Sequence, residues 1–229
     1  MLEVIDREGD DFECTFRLLN NIINHLSAAK EECNNALKSG DPERQQQCIA
    51  RIAGLYNECN DLSLKYLGFL SDRKDPRHGL DEHEKLLSVL QNTEKFFLVF
   101  NMDVTEITRQ NFLNMEGYRA LFLFQMKKYR RALQSCETIL TADDSRDGIW
   151  ILKGFLLTEF GNADEALDAF ETAIRLEWHN ADAWIGKGQV YHSTQNFTKA
   201  LEAFETALTI DKANPTAIEG RSAVLSELQ

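Results

Sequence analysis

Residues 147–180 and 181–214 align without a gap, and 13 of the 34 positions are identical. A chain that repeats itself at this period is built from supersecondary units. Each unit must bury its apolar face against a neighbour, so the architecture to expect is a stacked array and not one closed core. Trp150, Ile151, Lys153 and Gly154 match Trp184, Ile185, Lys187 and Gly188, and Ala169-Phe170-Glu171-Thr172-Ala173 matches Ala203-Phe204-Glu205-Thr206-Ala207. Within each unit the apolar positions follow helical spacing in two stretches, parted by turn signals at Gly161-Asn162 and Gln195-Asn196. Gly154/Gly188, Ala166/Ala200 and Ala173/Ala207 are small enough for helix backbones to approach. Trp150/Trp184, Leu157/Tyr191 and Phe170/Phe204 fill the space between them.

One period upstream, residues 113–146 keep Ala120, Leu123, Tyr129, Ala132, Leu133 and Glu137-Thr138 in register. There Glu116 replaces the Trp, Cys136 the Phe and Ile139 the small Ala, as in a diverged copy. Downstream, Asn214-Pro215 reads as a cap followed by proline at the first helical position. The half unit after it is expected to cap the array over its last apolar face.

These residues resemble the tetratricopeptide repeat family, whose W-x2-L-G-x2-Y…A-x3-F pattern has this period. The matches are Trp184, Gly188, Tyr191, Ala200, Phe204 and Ala207, and before them Trp150, Gly154, Ala166, Phe170 and Ala173. Lys153 and Lys187 stand where the family prefers Leu, and Trp178 and Lys212 where it prefers Pro. The resemblance implies an α-α superhelix of three repeats (113–146, 147–180, 181–214) and a cap (215–229), with the first helix of each repeat lining a concave face. It places Leu121, Phe124, Ile151, Phe155, Ile185, Gln189 and His192 in that groove as the candidate partner-binding residues. A well-known subfamily clamps acidic chaperone tails with Lys, Asn and Arg; here those positions hold Gly117, Leu121, Leu152, Asp182 and Gly186, or one repeat on Ile151, Phe155, Gly186, Thr216 and Gly220, so that clamp is not expected. Trp150 and Trp184 are expected in the core, while Trp178, at an inter-repeat corner, either packs on the next repeat or is an exposed contact.

The repeat does not extend upstream of residue 113, so residues 1–112 are read as a separate helical bundle. Apolar residues from Phe12 to Ala36 and from Ile49 to Leu67 keep helical spacing on either side of Gly40-Asp41-Pro42, which predicts a long antiparallel hairpin over 12–70. The charged stretch Ser71–Gly79 reads as a loop, with further helices near 81–100 and from 104, the latter with an Asp103/Glu106 capping-box pattern. The short apolar run Phe96–Phe100 reads as helix by length and context.

With 25 Lys plus Arg against 37 Asp plus Glu, the net charge of −12 argues against nucleic acid and anionic membranes as partners. The N-terminus lacks the pattern of a secretory signal, and the longest apolar run is too short to span a bilayer, so a cytoplasmic location without membrane insertion is expected. Five cysteines with no C-x-x-C spacing read as packed thiols. No phosphate-binding, dinucleotide-binding, zinc, EF-hand or nucleophile-elbow pattern occurs, and His78 and His83 are read as part of the solvated loop. No cofactor, metal site or catalytic residue is expected, and the chain is read as no enzyme. The leading expectation is an all-α protein-interaction adaptor or chaperone-like scaffold binding an apolar segment of a partner protein. The alternatives are an assembly subunit that self-associates, as a homodimer, through its N-terminal hairpin, and a regulatory peptide sensor.

Overall fold

A computed structural model describes residues 7–73, 75–99 and 105–228; the side chains of 7–11, 37, 39, 94–99 and 105–108 lie outside that description. The described residues form ten α-helices and no strand, in two compact units, residues 1–126 and 127–229.

The first unit holds α1 (Arg7–Ser39), α2 (Pro42–Asp72), α3 (Pro76–Val99) and α4 (Thr105–Gln125). α1 and α2 pack against each other on either side of residues 40–41. Gly40, at φ +71°, makes the left-handed turn that a side chain would strain. The Asp41 carboxylate then accepts from the Glu43 and Arg44 amides, and Pro42 sits in the first turn. Leu19, Ile22, Leu26, Ala29, Cys33 and Ala36 on α1 close on Cys48, Ile52, Tyr56, Cys59, Leu67 and Leu70 on α2. α3 packs on α2 and α4.

The expected loop Ser71–Gly79 is mostly helix. α2 runs on to Asp72, and α3 starts at Pro76, with the Asp75 carboxylate accepting from the His78 amide. Asp-Pro here opens a helix, as at Asp41-Pro42, and does not break one. Gly79 is buried, and a methyl group there would overlap the Phe122 ring of α4. The backbone of Phe96–Val99 is helical within α3; their side chains, Phe100 and the Asp103/Glu106 pattern lie outside the described residues.

The second unit holds α5 (Tyr129–Ala142), α6 (Asp147–Glu159), α7 (Ala163–Leu176), α8 (Ala181–Ser193), α9 (Phe197–Ile210) and α10 (Pro215–Glu227). α5, α7 and α9 begin at 129, 163 and 197, and α6, α8 and α10 at 147, 181 and 215, so each series advances by 34. The turns ahead of α5, α7 and α9 each contain one left-handed residue, Lys127, Gly161 and Gln195, at the same interval. Phe170 is held between Gly154 and Gly186, and Phe204 between Gly188 and Gly220; a methyl on Gly154 or Gly188 would stand 2.6 or 2.9 Å from the ring. These glycines are required by close approach. α10 buries Ala217 and Val224 in one cluster with Phe204 of α9, and its own Ile218 and Leu225 are 39% and 42% exposed.

Candidate protein-interaction face

Within the second unit, α6 packs beside α8 and α8 beside α10. Their shared face is set by residues three and four apart along each helix. The seven expected groove residues divide between the two units: Leu121 and Phe124 lie on α4, and the other five on α6 and α8.

Those five differ in what they offer. Ile151 is buried in one cluster with Ala183 and Val190 of α8, and Ile185 in another with Ala217 and Val224 of α10. At 7% and 4% exposure both serve as joints between neighbouring helices and present little area outward. Phe155 is half-buried, its ring edge-on to Phe170 at 5.2 Å. Gln189 and His192 are also half-buried, with the His192 ring 5.8 Å from Phe197. Around them Gly148, Asp182, Thr216 and Glu219 are exposed. The face therefore combines one aromatic edge with amide, imidazole and carboxylate groups, a more polar surface than the family positions suggested.

The geometry of this face is held by its corners. The Asn180 side chain accepts from the Asp182 amide, capping α8, and donates 3.0 Å to the Asp147 carboxylate in the first turn of α6. At the corner before α6, Asp143 accepts from Ser145 Oγ at 2.6 Å and Arg146 Nε at 2.8 Å, and these bonds hold its carboxyl at a pKa of about 2. Trp150 Nε1 donates to the Asp144 carbonyl and Trp184 Nε1 to the Trp178 carbonyl, each six residues back. Trp150 and Trp184 are thus half-buried pins between helix and corner and not fully interior as expected. Trp178 is 56% exposed, with its ring against His179.

A second cleft, on another side of α8, was not legible as such. Lys187 pairs with Glu171 of α7 at 2.8 Å and lies over the Trp184 and Tyr191 rings, while Lys199 lies over Tyr191 at 5.4 Å. The signal was present in Lys153 and Lys187, the departures from the family's Leu. A lysine stem covers an aromatic ring as Leu would, and carries its charge to solvent. Among the described residues no group of three or more His, Cys, Asp and Glu side chains is placed to hold a metal ion. His78 is exposed on α3, whereas His83 is buried inside the first unit. No helix among the described residues is long and apolar enough to cross a membrane.

Residues 156–216 match the sequence profile of the tetratricopeptide repeat family. Among solved structures, the chain is similar to YrrB, described as a tetratricopeptide repeat protein with an unusual peptide-binding site. The TM-score is 0.51 at 17% identity, over 83% of this chain and 88% of that one. It is also similar to MamA, with a TM-score of 0.51 at 18% identity, over 69% of this chain and 81% of that one. No curated protein matches the chain in sequence. The stretch 156–216 is tetratricopeptide repeat sequence, and the all-helical fold is of the superhelical kind that such repeats build.

Proposed function

We propose that this chain is a protein-interaction scaffold whose α6–α8–α10 face receives a peptide segment of a partner protein. The observation that carries the reading is the row of Phe155, Gln189 and His192, half-buried side chains on the helices that the repeat stacks side by side. An aromatic edge flanked by adaptable hydrogen-bonding groups suits a segment with an apolar anchor and exposed backbone. Ile151 and Ile185 support that surface from beneath. YrrB, with the same kind of fold, is described as having a peptide-binding site. A chaperone-like role would follow if the segment taken is an apolar one.

Photo-crosslinking from defined positions tests this. A crosslinker at Gln189 should capture the same partner from native lysate that a crosslinker at Glu205, exposed on α9, fails to capture. Capture from Glu205 and not from Gln189 would move the binding surface elsewhere and sink the reading.

The second reading, self-association through the N-terminal hairpin, draws on Phe16 and Leu18, which α1 leaves 40% and 47% exposed. Light scattering decides it: a strictly monomeric mass up to about 100 μM removes it.

A further inference from the structure

Near the tip of the first unit's hairpin, Cys33 of α1 and Cys48 of α2 lie each seven residues from the Gly40–Asp41 turn. Both are buried core residues of the same cluster and both are free thiols, and the bonds that flank them across the hairpin, Gln45 Nε2 to the Ala36 carbonyl at 3.3 Å and Arg51 to Glu32 at 2.8 Å, set a register that brings the two positions opposite each other. Their surroundings differ. Cys48 forms part of the wall of a solvent-open groove with Glu32, Asp41, Glu43, Arg44, Gln47 and Arg51. Arg44 and Arg51, four residues before and three after, share its side of α2, and Arg51 pairs across the hairpin with Glu32 at 2.8 Å. Of the two sulfurs, Cys48 is therefore the one that borders a groove open to solvent, where an oxidant can reach it. Cys33 is fully covered; burial, with its Cys48 neighbour, pushes its thiol pKa up, so it is poorly suited to meet an oxidant first.

We propose that Cys33 and Cys48 form a reversible disulfide across the hairpin tip, with a hydroperoxide as oxidant entering over Cys48. The Cys48 thiolate attacks one peroxide oxygen, the O–O bond breaks, and the leaving hydroxide takes a proton to become water. Cys48 is then a sulfenic acid. The Cys33 sulfur, giving up its proton, attacks the sulfenic sulfur and expels a second water. Two thiols and one hydrogen peroxide become one disulfide and two waters, the sulfur pair losing two electrons and the peroxide gaining them. A thiol reductant reverses the bond by exchange. Closed, the bond ties α1 to α2 in their native register. The remaining thiols stand apart from this arrangement: Cys14 is exposed on α1, Cys59 is buried beside Lys30, and Cys136 lies in the second unit, where burial pushes its pKa up to about 12.

Mass spectrometry of the full chain tests it. Trypsin cuts after Lys30, Lys38, Arg44 and Arg51, so Cys33 and Cys48 fall in separate peptides, 31–38 and 45–51. After brief hydrogen peroxide treatment, alkylation and non-reducing digestion, these peptides should run as one linked species, two hydrogens lighter than their sum, that vanishes with reductant. Cys59 and Cys136 should remain alkylated on unfolding. Absence of the linked pair while Cys48 oxidises past the sulfenic stage, or linkage chiefly through Cys14, overturns the proposal. The single variants fix the order of events. Cys33→Ser should accumulate a dimedone-trappable sulfenic acid at Cys48, whereas Cys48→Ser should leave Cys33 unlabelled. Equal labelling of the two would refute Cys48 as the attacking sulfur.

Discussion

At the residue scale, glycine carries the repeat's tightest constraint. Gly186 faces Phe170 so closely that an added methyl would occupy the ring's space, whereas Gly54, in the middle of α2, has nothing within 4 Å of an added methyl. The same Gly→Ala change should therefore act with opposite signs. Gly54→Ala should stabilise by roughly 0.5–1 kcal/mol through helix propensity, and Gly186→Ala should destabilise by about 1–3 kcal/mol through overpacking. Urea denaturation of the two variants checks both. Gln195 offers the complementary case. It occupies, at φ +61°, the left-handed position that Gly161 fills one repeat earlier. Gln195→Gly should stabilise by about 1 kcal/mol by removing that strain, and the thermal midpoint should rise. A fall would mean that the side chain makes a compensating contact. None of these signs is readable from residue type alone, because each depends on what lies opposite.

At the scale of elements, the helix starts advance in steps of 34 because the capping and turn residues recur with the core. The caps do not recur equally. Asn162 makes no side-chain capping bond, Asn196 and Asn214 each cap their helix, and Asn180 both caps α8 and reaches Asp147 of α6. Asn180→Ala therefore loses two bonds and should destabilise by about 1–2 kcal/mol, against less than half of that for Asn162→Ala. Chemical denaturation distinguishes them, and equal effects would show that neither the cap nor the bridge to Asp147 contributes. The start of α3 departs from the expected loop for a local reason: Pro76 and Gly79 are breakers by composition, but Asp75-Pro76 is an opening cap and Gly79 a packing contact with Phe122. Sequence signals for turns and for close approach use the same residue, and only the neighbouring helix tells them apart.

At the scale of the whole molecule, the two units carry different titrating groups. In the first, His83 is 1% exposed and neither ring nitrogen makes a well-aligned hydrogen bond, although the Met115 backbone lies close enough to favour the proton. Burial pulls its pKa down. Glu116, itself buried and paired with Arg119 at 3.1 Å, and Glu84 oppose that shift, while Arg119 assists it. A histidine whose folded pKa lies below its unfolded value of about 6.5 is neutral when folded, so the unfolded chain binds more protons between the two values. The stability is complete above about 6.5 and is lost as pH falls from there through the folded pKa. In the second unit, Asp143 is held at a pKa of about 2 from the usual 3.8, so its contribution is present above 3.8 and fades only as pH falls towards about 2. All three tryptophans, Trp150, Trp178 and Trp184, lie in the second unit. Between pH of about 7.5 and 5.5, thermal melting followed by tryptophan fluorescence should therefore hold steady, while the helical signal of the first unit melts earlier. His83→Leu should remove that acid sensitivity. A tryptophan transition that moves with the helical signal, or a persisting sensitivity in the variant, would refute the assignment.

The period of 34, the two helices per unit, the small residues at Gly154 and Gly188 and the Gly40 hairpin turn were readable from residue order, because helical spacing, turn chemistry and small-residue placement are local properties that repeat with the chain; that Gly186 and Gly220 also meet the Phe170 and Phe204 rings was not. The side chains of the candidate face were readable only as positions. Ile151 and Ile185 fall in the outward register of the repeat, yet the approach of α8 to α6 and of α10 to α8 buries them, leaving Phe155, Gln189 and His192 as the surface. Likewise Cys33 and Cys48, apolar-face residues in the sequence, became a facing pair with two arginines nearby once the hairpin closed. Exposure and the meeting of groups distant in sequence depend on how close neighbouring helices come, a quantity set by packing across elements and carried by no single stretch of residues.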